Sequence, residues 1–125
     1  MSEYSEHKAV SNYIKMQYPK VIFTSDSSGI RLSIGNAKKM LALKANYKIP
    51  DLIILKPNKK YNGLIIEIKD KSKTPFLKDG SLSKNKHVQK QNETLEMLKK
   101  CGYKAVFGVG FKHCKKIIDD YFKLL

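Results

Sequence analysis

The order of segments along the chain predicts an α/β fold, a mixed sheet flanked by helices: helix, strand, helix, strand hairpin, helix, strand, helix. Two short runs of β-branched and aliphatic residues, at 49–55 and 63–69, face each other across a polar turn and read as paired strands. Around them, other stretches repeat apolar residues at the three- and four-residue spacing of helices. The chain has 125 residues, 42% of them hydrophobic, which is enough for one core, so a single domain over residues 1–125 is expected.

Residues 2–18 carry Ala9, Val10, Tyr13, Ile14 and Met16 at helical spacing, and Pro19 ends the run. Carrying that face back one turn from Val10 reaches Glu6, and a further turn reaches Glu3. An inward acid needs a reason. It either contacts a metal or water site, or simply favours the positive end of the helix dipole. Glu6 is the preferred candidate and Glu3 the second. Residues 20–24 read as a first strand and 25–29 as a Ser/Gly loop, with Arg31 just beyond it where phosphate can meet backbone N–H groups and a guanidinium. A helix over about 36–46, capped by Ser33 or Asn36, should bury Ala37, Met40 and Leu41 and expose Lys38, Lys39 and Lys44.

The next two runs hold the chemistry. Asp51 opens the first, and Glu67 and Lys69 lie two apart in the second, which puts them on one strand face with Ile65. If residues 56–62 close a hairpin, two carboxylates and an ammonium come together at one end of adjacent strands. Acid-x-lysine triplets are common in so lysine-rich a chain, and Glu6-His7-Lys8 is another. The weight therefore rests on context, because charges that interrupt apolar strands are costly without partners. Carboxylates on stiff neighbouring strands suit a hard cation such as Mg²⁺, and an adjacent lysine can orient a nucleophile and offset negative charge. The competing reading is a surface charge pair.

Residues 70–85 are polar and basic, with Lys71, Lys73, Lys78 and Lys84 around Pro75 and the turn pair Asp79-Gly80. Leaving directly from the second strand, the segment reads as a mobile flap that grips phosphates, or else as an ordinary linker. The helix that follows, about 86–101, buries Val88, Leu95 and Leu98, and Gln91 falls in the same seam. A glutamine there must find hydrogen-bond partners, either at the strand site or within the core, or cost about 1–3 kcal/mol. Gly102 caps that helix, residues 103–109 form a last strand, and residues 111–125 form a final helix with Ile117, Ile118, Tyr121, Phe122 and Leu125 inward.

Charge narrows the partner. Lys and Arg number 25 against 11 acids, a formal net charge of +14, which points to a polyanion. Without a free-standing amphipathic basic helix, nucleic acid is favoured over a membrane surface. The polar N-terminus and the lack of a long apolar run lead us to expect no signal peptide, no membrane span and a cytoplasmic location. Cys101 and Cys114 have no metal-ligand spacing and read as small apolar residues. His7, His87 and His113 are scattered, and none is assigned as a ligand.

Taken together, Pro50-Asp51, Glu67-Ile68-Lys69, Gln91 on the next helix and Gly102-Tyr103 before the last strand resemble the PD-(D/E)XK nuclease superfamily. Within it, they resemble the stand-alone VRR-NUC (virus-type replication-repair nuclease) domains of phages and bacteria. The resemblance spans nearly the whole chain and implies a restriction-endonuclease-like αβββαβ core. It implies that Asp51, Glu67 and the backbone carbonyl of Ile68 bind Mg²⁺ or Mn²⁺ with an acid of the first helix, Glu6 before Glu3. It further implies that Lys69 positions the attacking water and that Gln91 is the helix glutamine near that lysine. Arg31, Lys71, Lys73, Lys78 and Lys84 would contact DNA. By the same resemblance, the activity would be cleavage of branched DNA such as Holliday junctions by a homodimer. The alternative is a basic DNA-binding module that keeps the fold without catalysis.

Overall fold

The computed structural model describes residues 2–25, 33–43 and 46–125. Helix α1 (Glu3–Gln17) starts where the Ser2 side chain accepts the Ser5 N–H, and Pro19 lies just beyond its C-terminal end. Strand β1 (Phe23–Ser25) and helix α2 (Ile34–Leu43) follow, and the Ser33 hydroxyl accepts the Asn36 N–H at the start of α2. Strands β2 (Leu52–Ile54) and β3 (Leu64–Lys69) then lead to helix α3 (Lys86–Lys100), strand β4 (Lys104–Val109) and helix α4 (Gly110–Phe122). Arg31 lies outside the described residues.

The sheet order is β1-β2-β3-β4. The first three strands run antiparallel, whereas β3 and β4 run parallel, joined by α3 as a crossover. This is the mixed sheet that the segment order predicts, with the helices on its two faces. Leu52, Ile54, Leu64, Ile66 and Ile68 pack against Val10 and Ile14 of α1 and Cys114, Ile118 and Tyr121 of α4. The opposite face packs Ile65, Ala105 and Phe107 against Leu95 of α3. Covered on both sides, β3 is buried at every position, which explains its nearly unbroken apolar run.

Several expectations are corrected. The first paired strand is shorter than residues 49–55, because Ile49 and Leu55 are exposed and only Leu52–Ile54 pairs with β3. No residue of α2 is buried, and Leu41 is 70% exposed where the spacing places it inward. Met16 and Leu125 are exposed too, as is Cys101, so only Cys114 behaves as a buried apolar residue. Residues 70–85, expected as a flap or a linker, form a short hairpin. A 3₁₀ turn at Lys71–Lys73 is capped by Asp70, Pro75 is fully buried, and Phe76 bridges to Leu82. Phe76 also sets its ring edge-on to Phe107, 5.9 Å between centroids. Local Asp turns and one aromatic anchor hold this hairpin without DNA.

Gly102 ends α3 at φ +90°, and a Cβ there would stand 2.5 Å from Nδ2 of Asn62, which itself donates to the Cys101 carbonyl. Gly102→Ala is therefore expected to destabilise the protein by about 1–3 kcal/mol. Urea unfolding should show a lower midpoint with an unchanged slope. An unchanged midpoint would show that the turn yields without cost.

Candidate metal centre

The antiparallel register sets the site. Leu52 pairs with Ile66, so the next position outward puts Asp51 opposite Glu67. The side-chain alternation that sends Leu52 and Ile66 toward α1 and α4 sends Asp51, Glu67 and Lys69 toward the α3 face, beyond Ile53 and Ile65. Asp51 Oδ2 accepts the Ile68 N–H at 2.8 Å, which fixes this carboxylate against the neighbouring strand. Glu67 is 4% exposed and Lys69 6% exposed, so an acid and a base are both embedded at the end of the central strand.

Glu3 supplies the third acid. One oxygen from each of the Glu3, Asp51 and Glu67 carboxylates lies within 4.8 Å of the others. Glu6, the acid preferred from the sequence, lies one turn further along α1 and is 4% exposed, with its buried Oε2 lacking a hydrogen-bond partner among the described residues. Thus the helical face is as the spacing predicts, but the converging carboxylate is the one nearer the helix start. The two acids are three positions apart, and the spacing alone does not tell how far the first turn of α1 projects beyond the sheet.

Burial and mutual repulsion set the electrostatics of the site. Burial, and next the Asp51 carboxylate, push the Glu67 carboxyl up to about 9, against the pull of Lys69 and Lys48. Burial and the charges of Glu6 and Asp51 likewise push the neighbouring Cys114 thiol up to about 12. Carboxyl groups are thus crowded into a poorly solvated place where a second negative charge is disfavoured, and a divalent ion would offset that charge in place of the proton. Carboxylate oxygens are the donors that Mg²⁺ and Mn²⁺ prefer, so the residues present fit such an ion.

Gln91 reaches this group as its place in the α3 seam suggests. Its Nε2 donates to Glu67 Oε1 at 2.9 Å and lies 3.2 Å from His87 Nε2, while its Oε1 is buried without a partner among the described residues. His87, Lys48 and Tyr47 are neighbours that sequence reasoning passed over. For His87 a signal exists, because it precedes Gln91 by four residues and so shares its helix face. Tyr47 and Lys48 follow an exposed helix and carry no periodic signal. Ile68 lends its N–H to Asp51, and its side chain is fully buried. Lys71, Lys73, Lys78 and Lys84 are exposed along the hairpin that leaves β3.

The structure is similar to that of a solved protein described as a VRR_NUC domain protein. The TM-score is 0.68 at 29% sequence identity, with 99% of this chain and 90% of that chain covered. No family model matches the chain. No curated protein matches it either.

Proposed function

We propose that this chain, which carries the VRR-NUC fold, is a nuclease that hydrolyses DNA phosphodiesters with a divalent metal ion, acting on branched DNA such as four-way junctions as a homodimer. The observation that carries the reading is the convergence of Glu3, Asp51 and Glu67 beside Lys69 and Gln91 in a chain of net charge +14. The described relative's name supports nuclease activity, and the motif order supports the finer assignment.

In this proposal Asp51, Glu67, Glu3 and the Ile68 carbonyl hold Mg²⁺ or Mn²⁺, and Glu6 orders water behind them. When bound, the ion supplies an acidified water and neutralises charge at the phosphate. Lys69 orients the attacking water and counters the negative charge that grows at the phosphorus. Gln91 holds the Glu67 carboxylate in place through its Nε2 and presents the free Oε1 to the Lys69 ammonium or to the water. Lys71, Lys73, Lys78, Lys84 and Arg31 attract the phosphate backbone. A single-site chain needs two copies to cut two strands symmetrically. The exposed Ile34, Leu41 and Leu43 of α2 offer apolar surface for such a pairing. No helix among the described residues is long and apolar enough to cross a membrane.

Incubation of the purified protein with supercoiled plasmid and with junction, flap, fork and duplex substrates tests the proposal. Cutting that requires Mg²⁺ or Mn²⁺, stops in excess EDTA and favours branched substrates is the expected result. Retardation of DNA without any nick would replace the nuclease with the non-catalytic binding module.

A further inference from the structure

A cleft of about 400 Å³ opens beside the carboxylates, with Glu67 and Gln91 at its inner end. Tyr47 and Lys48, on the segment that leads into β2, form one wall, and His87 and Lys90 of α3 form the other. Asn46, Glu93 and Thr94 complete the lining with amide, carboxylate and hydroxyl groups, which suit a base edge better than a second phosphate. We infer that this cleft seats the unpaired nucleotide next to the scissile phosphate, with its base stacked on Tyr47 and its flanking phosphate held by Lys48 and Lys90.

This inference rests on the nuclease reading for the position of the scissile phosphate and deepens it by saying what in a branched substrate is recognised. Tyr47 is 51% exposed, an aromatic face left open at the mouth of a concave site. Lys48 and Glu67 line the same cleft, so a phosphate bound at Lys48 lies next to the metal ligands. His87, through its 3.2 Å approach to Gln91, joins the cleft wall to the side chain that holds Glu67. A volume of about 400 Å³ lies within the roughly 300–1,000 Å³ of sites that enclose small organic groups. A paired base keeps both faces stacked inside the duplex and presents only its edges in the grooves. An unpaired base at a junction, fork or flap is free to turn its face to Tyr47.

A second hollow, of about 550 Å³ between α1 and α4, offers no such seat. There the hydroxyls of Tyr13 and Tyr18 donate to Asp119 Oδ1 at 2.6 and 2.7 Å, and Lys115 donates to Oδ2 at 3.0 Å, so these four side chains already engage one another.

The test uses the full chain in EDTA, where binding is read without cleavage. The probes are a single-stranded oligonucleotide carrying one 2-aminopurine and a blunt duplex of the same sequence. Wild type and Tyr47→Phe should quench the 2-aminopurine fluorescence. Tyr47→Ala should lose the quenching and weaken single-strand binding about tenfold, with duplex affinity unchanged. Single-strand affinity equal to wild type in Tyr47→Ala, or an equal loss on the duplex, would overturn the inference. Tyr47 is exposed, so the variant is expected to keep its fold, which its melting curve checks. A wild type that quenches but never cuts a flap in Mg²⁺ or Mn²⁺ would refute the nuclease reading and leave the nucleotide seat standing.

Discussion

Glu67→Gln is expected to reduce DNA cleavage below about one-thousandth of wild type while raising the melting temperature of the metal-free protein at pH 8 by about 5 °C. A catalytic loss and a gain in stability follow from the same burial. The Glu67 carboxyl, ordinarily near 4.5, is pushed up to about 9 by burial and by Asp51. Between those values the folded protein keeps a proton there that the unfolded chain has released, so stability falls as pH rises. The contribution is complete below about 4.5 and is lost progressively on the way to about 9. Glutamine imitates the protonated acid: its amide donates to Asp51, and its oxygen still accepts from Gln91. The variant therefore keeps at pH 8 what the wild type has given up, but offers a poor ligand to the metal. Melting curves from pH 5 to 9 in EDTA, paired with a cleavage assay, check both halves. Full cleavage, or a lower melting temperature at pH 8, contradicts the account.

Lys69→Ala is expected to lower the single-turnover cleavage rate about a hundredfold to a thousandfold, with DNA affinity in EDTA nearly unchanged. Lys69 is 6% exposed at the end of β3, so it contributes little to the electrostatic surface that attracts DNA. Its charge is spent on the site, where it favours the ionised form of Glu67. Removing it should also move the onset of metal binding to higher pH, because the Glu67 proton then competes more strongly. Lys69→Met keeps more of the buried volume and separates loss of charge from loss of packing. Equal rates for wild type and both variants, measured with saturating enzyme, would remove Lys69 from the chemistry.

The parts of this site that could be read from the sequence were those governed by short-range periodicity. The two-residue strand repeat places Glu67 and Lys69 on one face, and the helical repeat puts Gln91 in the buried seam of α3; both placements follow from local geometry. The hairpin register that sets Asp51 opposite Glu67 also follows, because polar residues 56–62 fix where the strands turn. What could not be read depends on how elements meet in space. Whether Glu3 or Glu6 reaches the carboxylates is decided by how far α1 runs past the sheet. The helix α2 has the periodicity of a packed helix, yet none of its residues is buried among the described residues, and periodicity does not reveal whether a face finds a partner. The basic segment 70–85 has the composition of a flexible linker, but Phe76 packs on Phe107 of β4 and Pro75 is buried, tertiary placements that composition does not register. Tyr47 belongs to no motif and gains meaning only from what stands across the cleft, whereas His87 is marked by its four-residue spacing from Gln91 on the same helix face.

Calorimetric titration of the metal-free protein with Mn²⁺ at pH 8, repeated in two buffers of different ionisation enthalpy, addresses the central claim most directly. If Glu3, Asp51 and Glu67 converge to hold a cation, one Mn²⁺ should bind per chain with release of about one proton from Glu67, and Asp51→Asn should abolish the binding. Absence of binding, or binding that releases no proton and survives Asp51→Asn, would show that these carboxylates are not a metal centre.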